Sequence, residues 1–294
     1  MEYMEFLEEV RNYINEAADD VTVRIHTALK NNGIRLSGLS FVCEDCNASP
    51  TIYMEDYYSR YQNGEDICDI GDNLLEQYRR NTPSVRLDMS FFDSFESVRD
   101  RLYIKLINRE KNADFLAKAP YEPYLDLAVV AYVRVYDRNI GNGVIMVRNE
   151  HLKLWGVSGA EVLAAARKNT HDHDDFNIRH IMDVLSSMGN TGFGCEEAAD
   201  ELPMYVATNR KMMNGAAVLT MNDKLKEFSD VIGGDYYVIP SSVHELILFA
   251  RDDDRNTGDI DDLIREVNTT QLSPDEVLSD HAYLYSASDE VLIF

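Results

Sequence analysis

The sequence predicts an α+β fold in which mainly antiparallel sheets are interspersed with amphipathic helices. Two observations carry this prediction. Short β-prone runs follow one another with Asn-Gly or proline turns between them, which is typical of antiparallel neighbours. Between these runs lie segments whose apolar residues recur at helical spacing. No apolar run reaches the ~20 residues that a membrane-spanning helix needs, so no membrane segment is predicted.

The first elements are a helix and a hairpin. Residues 4–18 place their apolar side chains on one face, which predicts an amphipathic helix. A β-prone run with alternating apolar positions begins at Val21, and Asn32-Gly33 breaks it before a second such run. A short strand and two helical segments separated at Asn63-Gly64 complete the N-terminal elements.

The middle of the chain predicts a meander. Ser94 is placed to cap a helix, and β-like runs follow at residues 103–107 and 125–136. A third run, residues 141–149, completes the meander, with Asn142-Gly143 as its turn.

The C-terminal part alternates helices with short strands. Gly156 is predicted to end one helix and Ser158 to cap the next, while Gly233 closes a later helix. Strands are predicted at residues 204–209, 215–220, 235–240 and 243–249, with a terminal hairpin at residues 282–286 and 290–294.

Two regions are predicted, an N-terminal α+β region over residues 1–117 and a C-terminal α+β domain over residues 124–294. The joint is the segment KAPYEPY at residues 118–124, and the two regions could also form a single unit.

The formal charge of −24 is the strongest compositional signal. It opposes direct binding to nucleic acid, because phosphates would be repelled. An acidic nucleic-acid mimic is an alternative, but a folded chain of this mass carries about one net charge per 500 Å², against about one per 100 Å² for duplex DNA. The acids are also scattered along the sequence. Solubility is the simpler explanation of the charge.

The cysteines predict neither a disulfide framework nor a zinc site. There are only four, at positions 43, 46, 68 and 195, and the Cys43–Cys46 pair has no second pair of ligands at close spacing. The N-terminus is acidic and amphipathic and lacks the basic region of a signal peptide. We therefore expect a cytoplasmic protein with reduced cysteines and no cofactor.

The stretch IPSSVHELILF at residues 239–249 contains the candidate catalytic residues Ser242 and His244. If the second strand of this hairpin starts at Val243, His244 and Glu245 point to opposite faces and cannot work together. Ser242 and His244 would share a side, but the glycine-flanked elbow of a hydrolase serine is missing. The sequence favours a structural turn here over a nucleophile.

The segment THDHDDFNIRH, residues 170–180, contains the candidate metal ligands His171, His173 and Asp174 or Asp175. A pair of histidines is only half a site, and no companion motif occurs elsewhere. The acidic segment at residues 252–262 lacks the glutamate that closes a calcium loop. The sequence therefore predicts no bound metal and a solvated loop at residues 171–175.

Several segments resemble a known family: LKNNGIRLSGL, SPTIYMEDYYSRYQNGEDICDI, MNGAAVLTMNDKLKEFSDVIGGDYYVIPSSVHELIL and REVNTTQLSPDEVLSDHAYLY. Together they are similar to a bacterial family of unknown function, number 5688, which is abundant in Gram-positive gut anaerobes and often lies near mobile-element genes. The segment EHLKLWGVSGAEVLAAARKNT resembles, more distantly, a second uncharacterised family of bacillus type. The resemblance implies no activity.

Two functions follow as expectations. The first is a binding or interaction protein without chemistry, accessory to mobile-element biology, whose partner is a macromolecule with a neutral or basic surface. The second is a hydrolase-like enzyme with a site assembled around Ser242 and His244.

Overall fold

A computed structural model of the chain describes residues 1–42, 51–81, 88–137, 141–187, 204–240, 242–252 and 257–294. The chain divides into two compact units. The first comprises residues 1–30, 34–91 and 136–143, and the second comprises residues 31–33, 92–135 and 144–294. The architecture is α+β with antiparallel sheets, which confirms the predicted fold class. Among the described helices, none combines the length and hydropathy that crossing a bilayer demands.

The first unit is a three-stranded sheet with three helices. Its elements are α1 (Tyr3–Ala17), β1 (Thr22–Leu29), β2 (Arg35–Val42), β3 (Thr51–Tyr53), α2 (Glu55–Gln62) and α3 (Ile67–Asn81). The strands lie in the order β1-β2-β3, and β1 pairs with β2 along its full length. Asn32 and Gly33, with φ of 59° and 70°, lie in the connection between β1 and β2, so the predicted hairpin is confirmed.

The core of the first unit forms where α1 and α3 pack over the sheet. The apolar residues of α1 recur every three or four positions and therefore form one stripe, which is buried. The buried members of this core include Phe6, Leu7, Val10, Ile14, Leu39, Phe41, Ile70 and Leu74. Gly71 lets α3 approach α1 closely, because a Cβ at this position would lie 2.3 Å from the Tyr13 ring.

Two further sheets and the remaining helices follow along the chain. The strands are β4 (Leu102–Asn108), β5 (Tyr121–Tyr124), β6 (Leu127–Asp137), β7 (Gly141–Met146), β8 (Phe176–His180), β9 (Met204–Asn209), β10 (Tyr236–Ile239), β11 (Leu246–Ala250), β12 (Tyr283–Ser286) and β13 (Val291–Ile293). The helices are α4 (Phe95–Val98), α5 (Ala113–Leu116), α6 (Asn149–Trp155), α7 (Gly159–His173), α8 (Ile181–Ser187), α9 (Asn222–Ile232) and α10 (Thr257–Thr270).

The predicted hairpin around Pro240 lies at the centre of a sheet. The six-stranded sheet has the order β13-β12-β10-β11-β9-β8, so β10 and β11 are its middle strands. They pair antiparallel, with Tyr236 opposite Ala250. Val243, Leu246, Leu248 and Phe249 are buried. The predicted hairpin is confirmed, and its second arm is largely buried. The smaller sheet has the order β4-β6-β5, with β7 also paired to β6.

The predicted helix boundaries around residue 157 are confirmed. Gly156 ends α6 in a left-handed conformation with φ of 68°. Ser158 caps α7: its hydroxyl accepts a hydrogen bond from the Glu161 N–H, while the Glu161 side chain returns to the Ser158 N–H. Ser94 caps α4 in the same way through the N–H of Ser97.

Three local predictions are wrong. Residues 215–220 form a buried 3-10 helix and not a strand, because a short apolar run suits either structure and the N–H groups of Gly215 and Ala216 here donate to the carbonyls of His244 and Val243. Residues 171–173 are the last turn of α7, and residues 176–180 are a strand, so this segment is not a loop. Asn142 and Gly143 lie within β7 and are not a turn.

Apart from residues 31–33 and 136–143, the first unit ends at Phe91 and the second begins at Phe92. Residues 113–124, which include α5 and β5, belong to the second unit. The predicted boundary between two domains at residues 118–124 stays a prediction.

Candidate functional site

The residues that the sequence singles out as catalytic lie in the connection between β10 and β11. Strand β11 begins at Leu246, so His244 and Glu245 precede it, and the strand alternation assumed for them does not apply. Ser242 forms an isolated bridge with Val277. This connection is therefore a turn held by neighbouring loops.

The imidazole of His244 is held in one orientation. Its Nδ1 accepts a hydrogen bond from the Asn214 N–H at 3.2 Å, so the neutral ring carries its proton on Nε2. The His244 carbonyl accepts from the Gly215 N–H at 3.0 Å and from the Thr208 hydroxyl at 2.8 Å. Position 215 admits only glycine, because a Cβ there would lie 2.4 Å from that carbonyl oxygen.

A carboxylate lies near the other imidazole nitrogen. His244 Nε2 is 3.7 Å from Glu276 Oε1, which is longer than a hydrogen bond. Burial lowers the pKa of His244, and the charge of Glu276 opposes that shift. The side chain is therefore mostly neutral at pH 7, in the protonation state that a general base requires.

Ser242 is not bonded to this imidazole. Its buried hydroxyl accepts a hydrogen bond from the backbone N–H of His244 at 3.0 Å. A nucleophilic serine would instead donate its proton to a ring nitrogen. The structure brings Ser242 and His244 together as neighbours in a turn, with the serine stabilising the backbone.

Lys105 is a candidate that sequence reasoning missed. It lies in the middle of β4 between the buried residues Ile104 and Leu106 and opposite the fully buried Val130. Its side chain is partly buried, and its ammonium makes no hydrogen bond or ion pair within the described part of the chain. A single lysine inside the apolar run LYIKLI was the available signal.

The amine of Lys105 has an altered acidity. Burial lowers the pKa of Lys105 to about 8, and the charge of Asp275 opposes the shift. The positive charge of Lys105 in turn contributes to the low pKa of His244. Lys105, His244, Asp275 and Glu276 thus form one electrostatically coupled group, called the His244 cluster below. An amine with a pKa of about 8 and a neutral imidazole can exchange protons with a bound molecule.

The three candidate metal ligands do not converge. His171 Nε2 pairs with Asp223 at 3.0 Å, and this hydrogen bond raises the pKa of His171. The carboxylate of Asp174 is buried and takes two hydrogen bonds from the Arg134 guanidinium, at 2.8 and 2.7 Å. His173 packs its ring near Tyr103, with 6.5 Å between centroids. The described residues contain no group of three or more His, Cys, Asp or Glu side chains that could hold a metal.

Of the four cysteines, only Cys68 lies within the described residues. Cys43, Cys46 and Cys195 lie outside the described residues. Cys68 is exposed, and a hydrogen bond with Asp66 raises the pKa of its thiol, which disfavours the reactive thiolate.

A comparison with protein families confirms the family resemblance that the sequence shows. A profile of a family of unknown function (DUF5688) matches residues 3–287. The chain belongs to this family. No curated protein and no solved structure matches it. The description of the family names no activity.

In this family member, exposed carboxylates gather where α1 meets α3. Tyr13 on α1 donates a hydrogen bond to Asp72 on α3 at 2.9 Å. Glu9 and Glu16 flank Tyr13 one turn away on α1, and Asp69 lies one turn before Asp72 on α3. We call these four exposed residues, Glu9, Glu16, Asp69 and Asp72, the acidic surface. None of the four pairs with a cation among the described residues.

Proposed function

We propose that the protein acts in the cytoplasm by binding a macromolecule whose surface is neutral or basic, and that it does so without catalysis, cofactor or direct contact with nucleic acid. The acidic surface carries this proposal. Its four carboxylates belong to two helices that are far apart in sequence. One of them, Asp72, contacts Tyr13, and the other three lie within one turn of this contact. Such a grouping concentrates negative potential on one face of the first unit.

The exposed carboxylates steer a basic partner towards the protein. Each exposed carboxylate without a cation nearby leaves its field uncompensated, and the fields of neighbouring carboxylates add. With a net charge of −24, the chain repels acidic surfaces and attracts basic ones, which raises the association rate for basic partners. This attraction acts over the shortest distance at the acidic surface, because its carboxylates protrude into solvent towards an approaching partner.

The arrangement of the predicted catalytic residues supports binding over catalysis. Ser242 serves the backbone of His244, and Asn214 occupies one imidazole nitrogen. Asp174 is neutralised by Arg134. These side chains are engaged in stabilising contacts within the second unit.

The test is affinity capture from a native host lysate with two matched variants. The first variant carries Glu9→Gln, Glu16→Gln, Asp69→Asn and Asp72→Asn. The second makes the same charge change at exposed positions of the second unit, with Glu96→Gln, Glu110→Gln, Asp114→Asn and Glu266→Gln. We expect a basic partner to be retained by the wild type and the second variant and lost from the first.

Salt gives the second readout. Because exposed charges are screened beyond ~8 Å at physiological ionic strength, the affinity of the partner should fall several-fold as salt is raised from low to physiological concentration. A partner that binds both variants equally, or whose affinity ignores salt, would contradict the proposal.

An enzymatic role at the His244 cluster is the second candidate. The observation that favours it is Lys105, an amine that is partly buried in a sheet, makes no ion pair within the described part of the chain and has a lowered pKa. Turnover of a small molecule that His244→Ala abolishes, in a variant that keeps its fold, would establish this role in place of binding alone.

A further inference from the structure

The first unit has a groove of about 700 Å³ at the turn between α2 and α3. It is lined by Met1, Tyr61, Gln62, Gly64, Glu65, Asp66 and Ile67. Its volume lies in the range of ~300–1,000 Å³ that small-molecule and side-chain sites occupy, and it is open to solvent. The chain turns sharply here at Gly64, whose φ of 99° favours glycine.

Part of the groove wall is apolar and fixed, while the side chains of Gln62, Glu65 and Asp66 make the rest of it polar. Tyr61 packs against Phe6 and Tyr58, with ring centroids 5.3 and 6.3 Å apart, so its ring is held by the core. Met1 and Ile67 add aliphatic surface. A wall of this kind accepts a hydrocarbon stem or the flat face of a guanidinium.

One carboxylate of the groove is available and the other is not. Glu65 engages Arg60 with both of its oxygens, which fixes the turn. Asp66 is exposed, and its Oδ1 accepts a hydrogen bond from the Cys68 N–H at 2.9 Å. No cation pairs with Asp66 in the part of the chain that is described. The thiol of Cys68 also bonds to this carboxylate, but because Asp66 is exposed its oxygens have further lone pairs that can accept a hydrogen bond from a ligand.

The groove continues the acidic surface. Asp66, Asp69 and Asp72 follow one another at three-residue spacing at the start of α3, so their carboxylates lie along adjoining turns. An anion entering the groove would meet this row and be repelled, whereas a cation would be attracted along it.

We infer that this groove binds an arginine or lysine side chain of a basic protein partner, with the aliphatic stem against Tyr61 and Ile67 and the charged head at Asp66. The inference rests on the proposed binding function and adds to it the subsite where one cationic residue of the partner inserts. The exposed Asp66 carboxylate and the adjoining acidic row favour a cationic side chain over a neutral or acidic one, and the surface of Tyr61 and Ile67 suits a long aliphatic stem.

The experiment is an amide NMR titration of the full chain with three short capped peptides of equal length. Their central residue is arginine, lysine or citrulline, the neutral isostere of arginine. We expect the arginine and lysine peptides to shift the amide signals of Gly64, Glu65 and Ile67, and the citrulline peptide to leave them unchanged. Asp66→Asn keeps the Oδ1 acceptor for Cys68 and should weaken the two cationic peptides about 3- to 5-fold, the value of one exposed ion pair.

Glu16→Gln is the matched control, since it removes one charge from the acidic surface without touching the groove. Equal effects of Asp66→Asn and Glu16→Gln, or shifts along α1 with none at residues 64–67, would overturn the groove assignment. So would a citrulline peptide that binds as well as the arginine peptide. The lysate capture above tests the binding function separately, because it depends on residues outside the groove.

Discussion

Replacing Lys105 by methionine should stabilise the protein at neutral pH. The wild-type folded state holds an amine in a partly buried position of β4 where no carboxylate pairs with it within the described chain. Burying an unpaired charge opposes folding, and methionine fills nearly the same volume without a charge. The variant should therefore lose little packing and remove an electrostatic penalty.

The magnitude follows from the acidity of the amine. Burial lowers the pKa of Lys105 from 10.5 to about 8. Each pKa unit corresponds to about 1.4 kcal/mol, so the charged amine destabilises the fold by about 3 kcal/mol. Below pH 8 the Lys105 amine is protonated in both the folded and the unfolded protein, so this penalty is constant. Between pH 8 and 10.5 the amine stays protonated only in the unfolded protein, so raising the pH stabilises the folded wild type.

The assay is urea denaturation followed by the fluorescence of Trp155, the single tryptophan, which is buried in the second unit. At pH 7 the free energy of unfolding of Lys105→Met should exceed that of the wild type by 1–3 kcal/mol, that is about the penalty above less any packing loss. This difference should shrink by about 3 kcal/mol as the pH rises to 10.5. Lys153→Met, at an exposed position of α6, controls for the loss of one cation. A difference that does not change with pH would refute the reasoning.

Three other substitutions test local contacts. Gly215→Ala should destabilise the second unit by about 1–3 kcal/mol in urea denaturation, because its Cβ would lie 2.4 Å from both the His244 carbonyl oxygen and the Thr208 hydroxyl; a neutral result would show that this contact is not tight. Ser158→Ala should cost about 1 kcal/mol in the same assay through the lost cap of α7, with Ser158→Thr close to wild type. Asp223 raises the pKa of His171, so the stabilisation from this pair is complete below the unfolded pKa of about 6.5 and is lost as the pH rises through the folded value. His171→Ala should therefore lower the melting temperature at pH 5.5 more than at pH 8.5, whereas a pH-independent loss would contradict the ion pair.

Elements with local signals were predictable from the sequence. The stripe of α1, the caps at Ser94 and Ser158 and the terminal glycine at Gly156 each depend on residues a few positions apart, and the structure confirms them. The central hairpin was predictable for the same reason, because alternation and Pro240 marked its arms.

Features that depend on distant partners were not predictable. Residues 215–220 are apolar enough for a strand, but the Gly215 N–H bonds the carbonyl of His244, and this tertiary contact selects a 3-10 helix. Strand β11 starts at Leu246 for a related reason, since Val243 and His244 are held by Glu276, Asn214 and Thr208. The acids look scattered along the sequence, yet the Tyr13–Asp72 contact has Glu9 and Glu16 within one turn of it on α1 and Asp69 within one turn of it on α3.

Lys105 connects the stability of the fold to the choice between binding and catalysis. Suppose that Lys105→Met stabilises the fold and keeps the affinity for the partner. The amine then contributes to neither stability nor binding. In that case its electrostatic coupling to His244 and Asp275 favours chemistry, because proton transfer is the remaining property that a lysine with a pKa of about 8 supplies. If Lys105→Met instead loses the partner while gaining stability, the His244 cluster is part of the binding surface. Combining the stability measurement with the capture experiment therefore separates the two functions before any substrate is known.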